Sequence, residues 1–154
     1  MDISEKRYRS LSAYLKERFG EKVFKVSLNA GFTCPNIDGT KGRGGCTFCS
    51  PLGSGDFAGN KKDDLYTQFH NIKDMMHKKW PKAKYIAYFQ AFTNTYAPLE
   101  ELKEMYEKFV DYDPNIVAIS IATRPDCLPD DVVEYLGELK TRIPLIVELG
   151  LQTM

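Results

Sequence analysis

Ile116-Val117-Ala118-Ile119-Ser120-Ile121-Ala122 is a near-continuous apolar run, the pattern of a strand that is buried on both faces of a sheet. Outward from it, period-two or apolar segments predict further strands at 22–29, 84–90 and 144–151. Apolar residues at three- and four-residue spacing predict helices at 4–19, at 63–79, from 98 onward and from 129 onward. The order is a helix, then strand and helix three times, then a strand. Parallel strands with crossover helices, an α/β class, are therefore predicted.

The last predicted strand is apolar and no helix follows it before Met154. An edge strand of this kind is an aggregation liability, and a complete eight-unit barrel needs at least about 200 residues. We therefore expect residues 22–154 to be the N-terminal part, with about four strands, of a truncated TIM-barrel-like core domain. Residues 1–21 are predicted to be an N-terminal helical extension carrying an extra helix.

The composition is that of an ordinary globular domain. The 154 residues include 21 Lys and Arg, 21 Asp and Glu, and 43% hydrophobic residues. These values exclude collagen-like and wholly disordered chains. No apolar run is long enough to span a membrane, and the charged N-terminus lacks the apolar segment of a secretory signal. We expect a cytoplasmic protein without a membrane partner, in which the four cysteines are metal ligands or reactive thiols rather than disulfides.

The neutral net charge hides a gradient along the chain. The first 62 residues carry 11 basic and 6 acidic side chains, and the remainder is acidic. Solvated helix faces account for such a difference, and so does a basic region that faces an anionic ligand or RNA. Charge alone does not separate the two interpretations.

The strongest functional signal is the polar, glycine-rich segment at 30–60, which directly follows the first predicted strand. It holds three thiols, Cys34, Cys46 and Cys49, at the spacing Cys-x11-Cys-x2-Cys. Loops longer than about 12–15 residues are usually functional, and chemistry in such folds lies at the carboxyl ends of the strands. The last two sulfurs are close enough in sequence for one metal centre, and the loop can return Cys34 to it.

Three kinds of cysteine site compete for this pattern. A structural zinc site needs four ligands and would take Cys127 as the fourth, but zinc ribbons usually have two Cys-x-x-Cys knuckles and this chain has one. A thioredoxin-like pair would begin a helix, whereas Pro51 and two glycines follow Cys49. Spacing therefore favours an iron–sulfur cluster over zinc, and the zinc-binding module stays as the alternative.

Four segments together resemble the radical S-adenosylmethionine (SAM) enzymes of the YhcC type, relatives of the catalytic subunit of the tRNA-modifying elongator complex. They are the cysteine loop and the stretches 88–96 (YFQAFTNTY), 122–127 (ATRPDC) and 147–153 (VELGLQT). The resemblance runs from about Tyr8 to Met154. The first cysteine spacing is wider than the superfamily's commonest Cys-x3-Cys-x2-Cys.

The resemblance implies a partial radical SAM core in which Cys34, Cys46 and Cys49 hold a [4Fe–4S] cluster. In the family, the iron without a protein ligand binds SAM, and one-electron reduction cleaves SAM to methionine and a 5′-deoxyadenosyl radical. The electron would come from a donor such as flavodoxin or ferredoxin. A fourth thiolate would block this chemistry, so Cys127 is not expected to be a ligand. The substrate is not implied. Nucleic acid such as tRNA is the leading expectation, by kinship with tRNA-modifying relatives, and a protein side chain or a small metabolite stays open.

The resemblance also implies that the strand ends, and the aromatic residue between the last two cysteines, contact SAM. These positions are Phe48, Gln90, Asn94, Thr123, Arg124, Glu148 and Gln152. The Gly-Gly-Glu motif that many relatives place near the second strand is absent. Arg124 has a competing interpretation as a structural ion pair with Asp126, and Glu148 in an apolar strand needs a partner. No catalytic residue is assigned.

Overall fold

The computed structural model describes residues 7–45 and 58–151. Within them the chain forms four helices, one 3-10 turn and a four-stranded parallel sheet, which confirms the α/β prediction. The strands are β1 (Val23–Leu28), β2 (Lys84–Phe89), β3 (Ile116–Thr123) and β4 (Leu145–Leu149). The helices are α1 (Leu11–Phe19), α2 (Leu65–His77), α3 (Leu99–Glu107) and α4 (Asp130–Arg142), and Pro125–Cys127 is the 3-10 turn.

The strands pair in chain order, β1-β2-β3-β4, with no reversal. Phe69 of α2, Tyr106 of α3 and Leu136 of α4 belong to one apolar core with alternate residues of the strands, so the three crossover helices cover the same face of the sheet. The helix α1 packs on the other face, where Leu15 joins Ile86 and Ala118 in a small second core.

The helix α1 begins later than predicted. Residues 7–10 are not helical, and the helix starts at Leu11 instead of residue 4. Ser10 is the N-cap, because its hydroxyl accepts a hydrogen bond from the Ala13 N–H at 3.2 Å. Gly20, with φ of 76°, ends the helix in the left-handed conformation. Apolar spacing alone therefore overestimated the helix by at least one turn, and the predicted residues 4–6 lie outside the described residues.

The long segment after β1 has the irregular character that its composition predicts. In its described part, residues 30–45 and 58–60, no helix or strand forms, and Asp38 and Arg43 make an isolated antiparallel bridge. None of the helices in the described ranges has the length and apolarity needed to cross a membrane.

Candidate metal and cofactor site

The candidate site lies where the parallel strands end. The loops that follow β1, β2 and β3 leave the same edge of the sheet, because parallel strands carry their carboxyl ends at one edge. Backbone hydrogen bonds join these loops: the Thr93 N–H donates to the Thr33 carbonyl at 3.2 Å, and the Asn94 N–H donates to the Ala122 carbonyl at 3.2 Å. The cysteine loop is thereby fixed to the ends of β2 and β3.

A buried glutamine bonds to the start of the cysteine loop and packs against its far end. Gln68 of α2 accepts a hydrogen bond from the Asn29 N–H at 2.8 Å and donates to the Asn29 carbonyl at 3.0 Å. At the far end of the loop, the Gly59 N–H donates to the Ser27 carbonyl at 3.0 Å. A Cβ on Gly59 would lie 2.4 Å from the Gln68 Oε1, so only glycine fits this approach. Sequence analysis missed Gln68, because one polar residue on a helix gives no signal of burial.

Cys34 is buried at the start of the loop and its sulfur is surrounded by hydrogen-bond donors. The Arg124 Nη1 lies 3.5 Å from Sγ, and the Thr93 side chain and the backbone N–H of Asn36 also bond to the sulfur. Burial by itself raises the pKa of the thiol, but these hydrogen bonds outweigh it and the pKa of Cys34 is lowered. The geometry therefore favours the thiolate, which is the form that ligates metals.

The β2–α3 loop is strained next to the residue that contacts Cys34. Phe92 has a φ of 59°, in the left-handed region that bulky residues rarely adopt. Thr93, the next residue, is buried and bonds to Cys34. Strain of this kind persists where surrounding contacts fix it, and it clusters at functional sites.

Arg124 and Asp126 form an ion pair. This contact is the structural role that sequence analysis weighed against SAM binding by Arg124. The Arg124 Nε and Nη2 each donate to an Asp126 carboxylate oxygen at 2.9 Å, and Lys41 from the cysteine loop bonds to the same carboxylate. The hydrogen bonds from Arg124 and then Lys41 hold the pKa of Asp126 well below its usual range. The cysteine loop and the segment that follows β3 therefore meet at one carboxylate.

Cys127 is in a different electrostatic environment from Cys34. Its Sγ lies 3.7 Å from Asp126 Oδ1 and its thiol is the donor. Burial, and then the negative charge of Asp126, raises the pKa of Cys127 to about 11. The surroundings of Cys127 therefore disfavour the thiolate form that ligates metals, in contrast to those of Cys34.

Three further predicted SAM positions lie at the same edge. Asn94 is completely buried, and its amide nitrogen donates to the Ala122 carbonyl at 3.0 Å, while Oδ1 has no partner among the described residues. Thr123 shares a hydrogen bond of 2.6 Å with Thr95, and both are buried. Gln90 follows β2 directly, with its N–H bonded to the Leu28 carbonyl at 3.3 Å. The Oδ1 atom of Asn94 is thus a buried hydrogen-bond acceptor to which no described residue donates.

Glu148 lies on the sheet face opposite the crossover helices, where it has the partners that a carboxylate in an apolar strand needs. Lys25 of β1 forms an ion pair with Glu148 of β4, and the Tyr88 hydroxyl donates to its Oε2 at 2.8 Å. Ser120 donates to Oε1 at 3.3 Å. Burial raises the pKa of Glu148, but the bonds from Lys25 and Tyr88 outweigh it and the pKa is lowered. All four strands contribute one residue to this cluster.

Two of the three predicted cluster ligands, Cys46 and Cys49, lie outside the described residues, as do Phe48 and Gln152. Within 7–45 and 58–151, no three His, Cys, Asp or Glu side chains come together as a metal-binding group. The described part still fits the implied cofactors at two points. The sulfur of Cys34 is surrounded by hydrogen-bond donors, as suits a thiolate ligand. Asn94 has a buried acceptor that lacks a partner in the described part of the chain and could accept a hydrogen bond from a bound amino group.

Comparison with known proteins identifies relatives that are about twice as long. The chain is 66% identical to the uncharacterized protein YtqA of Bacillus subtilis over 151 residues, which are 98% of this chain and 47% of YtqA. It is 43% identical to the protein YhcC of Escherichia coli K12 over 140 residues, 90% of this chain and 44% of YhcC. It is 36% identical to the uncharacterized protein MJ0486 of Methanocaldococcus jannaschii over 148 residues, 92% of this chain and 43% of that protein.

The chain thus spans slightly less than half the length of these curated relatives. No protein-family model matches the chain. No solved structure matches it either. The identities nevertheless extend over at least nine-tenths of the chain, and they make it a homologue of the YtqA and YhcC proteins.

Proposed function

We propose that the protein is a radical SAM enzyme whose cluster is held by Cys34, Cys46 and Cys49. The observation that carries the proposal is the opposite hydrogen bonding of the two described cysteines. The sulfur of Cys34 accepts from Arg124 and other donors, whereas the thiol of Cys127 donates to Asp126. This arrangement suits a site that uses three thiolates and leaves Cys127 out, as the resemblance implies.

The sheet supports the finer proposal of a TIM-barrel-like core. Strands pair in chain order and the crossover helices cover one face, as in a barrel, whereas a doubly wound fold reverses its strand order and covers both faces. In a flat sheet β1 and β4 would be about 14 Å apart. The ion pair between Lys25 and Glu148 therefore supports a concave shape for the face opposite the crossover helices.

The offset of this ion pair along the strands agrees with barrel geometry. Lys25 pairs in register with Ile86, and Ile86 with Ala118. Glu148 pairs with Ala122, four residues further along β3. An eight-stranded barrel with a shear of eight advances about one residue per strand. The contact between Lys25 and Glu148 advances four residues over three strand steps, which is close to one residue per strand.

The chain's own residues would bind and orient the cofactors. Cys34 would ligate the cluster as a thiolate, with Thr93 and Arg124 fixing its sulfur. Asn94 would accept a hydrogen bond from the SAM amino group through Oδ1, which has no partner within 7–45 and 58–151. The Lys25–Glu148 cluster would line the concave face with charge already neutralised. When bound, the cluster supplies the electron that cleaves SAM.

The zinc-binding alternative needs Cys127 as a fourth thiolate. The raised pKa of Cys127 and its donation to Asp126 disfavour that role. Flavodoxin or ferredoxin as electron donor, and tRNA as substrate, remain part of the proposal by resemblance alone.

The test is the product formed from SAM by the intact protein, anaerobically reconstituted and reduced with dithionite. We expect 5′-deoxyadenosine and methionine, and neither from Cys34→Ala, whereas the matched Cys127→Ala variant forms both. S-adenosylhomocysteine without 5′-deoxyadenosine would indicate ordinary methyl transfer and would refute the radical mechanism.

A further inference from the structure

Asp126 connects the cysteine loop to the end of β3 through two basic side chains. Arg124 occupies both carboxylate oxygens through Nε and Nη2, each at 2.9 Å, and Lys41 bonds to Oδ2. A two-point contact between a planar guanidinium and a carboxylate fixes the plane of the guanidinium. The orientation of Arg124 is therefore set by Asp126 and does not depend on Cys34.

With Nε and Nη2 held by Asp126, Arg124 presents its remaining nitrogen to the cysteine. Nη1 lies 3.5 Å from the Cys34 Sγ. The Arg124 side chain is only 14% exposed and Cys34 is 8% exposed, so little water competes for either group. A fixed positive donor in a site with little water acts strongly on the electron density of the sulfur that it touches.

Hydrogen bonds and positive charge at ligand sulfurs are general determinants of cluster potential. They stabilise the more negative, reduced cluster and so raise its reduction potential. The predicted role of Arg124 as a SAM contact competes with this one, because three of its nitrogens are already used by Asp126 and Cys34.

We propose that Arg124, oriented by Asp126, is a positioning residue that donates an N–H···S hydrogen bond to the cluster ligand Cys34 and raises the reduction potential of the cluster. The proposal rests on the proposed function, since it requires a cluster on Cys34. It assigns Asp126 and Lys41 to fixing the guanidinium and the loop, and it leaves recognition of SAM to other residues.

The experiment is an anaerobic redox titration of the intact protein with its cluster reconstituted and without SAM. Arg124→Met is expected to lower the potential so that the reduced-to-oxidised ratio at a given ambient potential falls about tenfold, or 59 mV for one electron. Arg124→Lys keeps the positive charge but loses the two-point contact with Asp126. Its reduction potential should therefore lie between those of wild type and Arg124→Met. Arg142→Met is the matched control, because Arg142 pairs with Glu107 on the helices, and its potential should equal that of wild type.

A wild-type potential in both Arg124 variants would overturn the proposal. The proposal would also be overturned if both variants lost the cluster while their thermal unfolding matched that of wild type. Arg124 would then be needed for cluster assembly and not for setting the potential. An unchanged potential together with greatly weakened SAM binding, measured by calorimetric titration, would return Arg124 to its predicted role as a SAM contact. Failure of the wild-type protein to bind iron and sulfide would refute the proposed function itself.

Discussion

The substitution Gln68→Met tests whether one buried amide fastens the start of the cysteine loop. Gln68 is 2% exposed and makes three hydrogen bonds, to the Asn29 N–H, the Asn29 carbonyl and the Asp63 carbonyl. Methionine keeps the approximate volume but leaves both backbone groups of Asn29, a residue that is 7% exposed, without these partners.

Each buried polar group that loses its partner costs about 1–3 kcal/mol, so the two groups of Asn29 predict a fall in the free energy of unfolding of about 2–6 kcal/mol. For a domain of this size, 1 kcal/mol corresponds to about 2–4 °C, and the Tm should fall by about 4–24 °C. Urea unfolding followed by circular dichroism measures the free energy, and a thermal scan measures the Tm.

The matched control is Asn71→Met on the exposed side of the same helix, which should change the free energy of unfolding by less than about 0.5 kcal/mol. If Gln68→Met were as stable as this control, the hydrogen bonds of Gln68 would not hold the loop and the reasoning would be wrong.

Two further predictions concern close packing and pH. Gly59→Ala places a Cβ 2.4 Å from Gln68 Oε1 and should destabilise by about 1–3 kcal/mol, whereas Gly137→Ala, in α4 with open space around it, should stabilise by about 0.5–1 kcal/mol; urea unfolding that ranks the two in the reverse order would contradict the packing. The pKa of Glu148 is lowered on folding, so its contribution to stability is present above the ordinary value of 4.5 and is lost as the pH falls through the folded value. Glu148→Gln should therefore lose less stability than wild type between pH 5 and about pH 3 in urea titrations, and parallel losses would show that the ion pair with Lys25 adds nothing.

The sequence predicted the strands and crossover helices well, because each carries its own periodicity. The strands at 84–90 and 116–122 end within one residue of β2 and β3. The start of α1 was wrong, since the Ser10 cap and not the apolar spacing sets it. Local sequence signals therefore predict which elements form more accurately than they predict where each element begins and ends.

The site was predictable where residue type and strand position coincide. Cys34, Arg124 and Glu148 follow or occupy strands and were identified as candidates. The ion pair between Arg124 and Asp126 was also anticipated. The two lysines were not, because Lys25 lies 123 residues from Glu148 in sequence, and Lys41 lies 85 residues from Asp126. Such contacts depend on the register and curvature of the sheet, which no local pattern encodes.

The most direct test of the central claim is the iron and sulfide content of the intact protein after anaerobic reconstitution. We expect about four irons and four sulfides per chain. Cys34→Ala, Cys46→Ala and Cys49→Ala should each lose them, and Cys127→Ala should keep them. One zinc per chain that requires all four cysteines would contradict the account and establish the zinc-binding alternative.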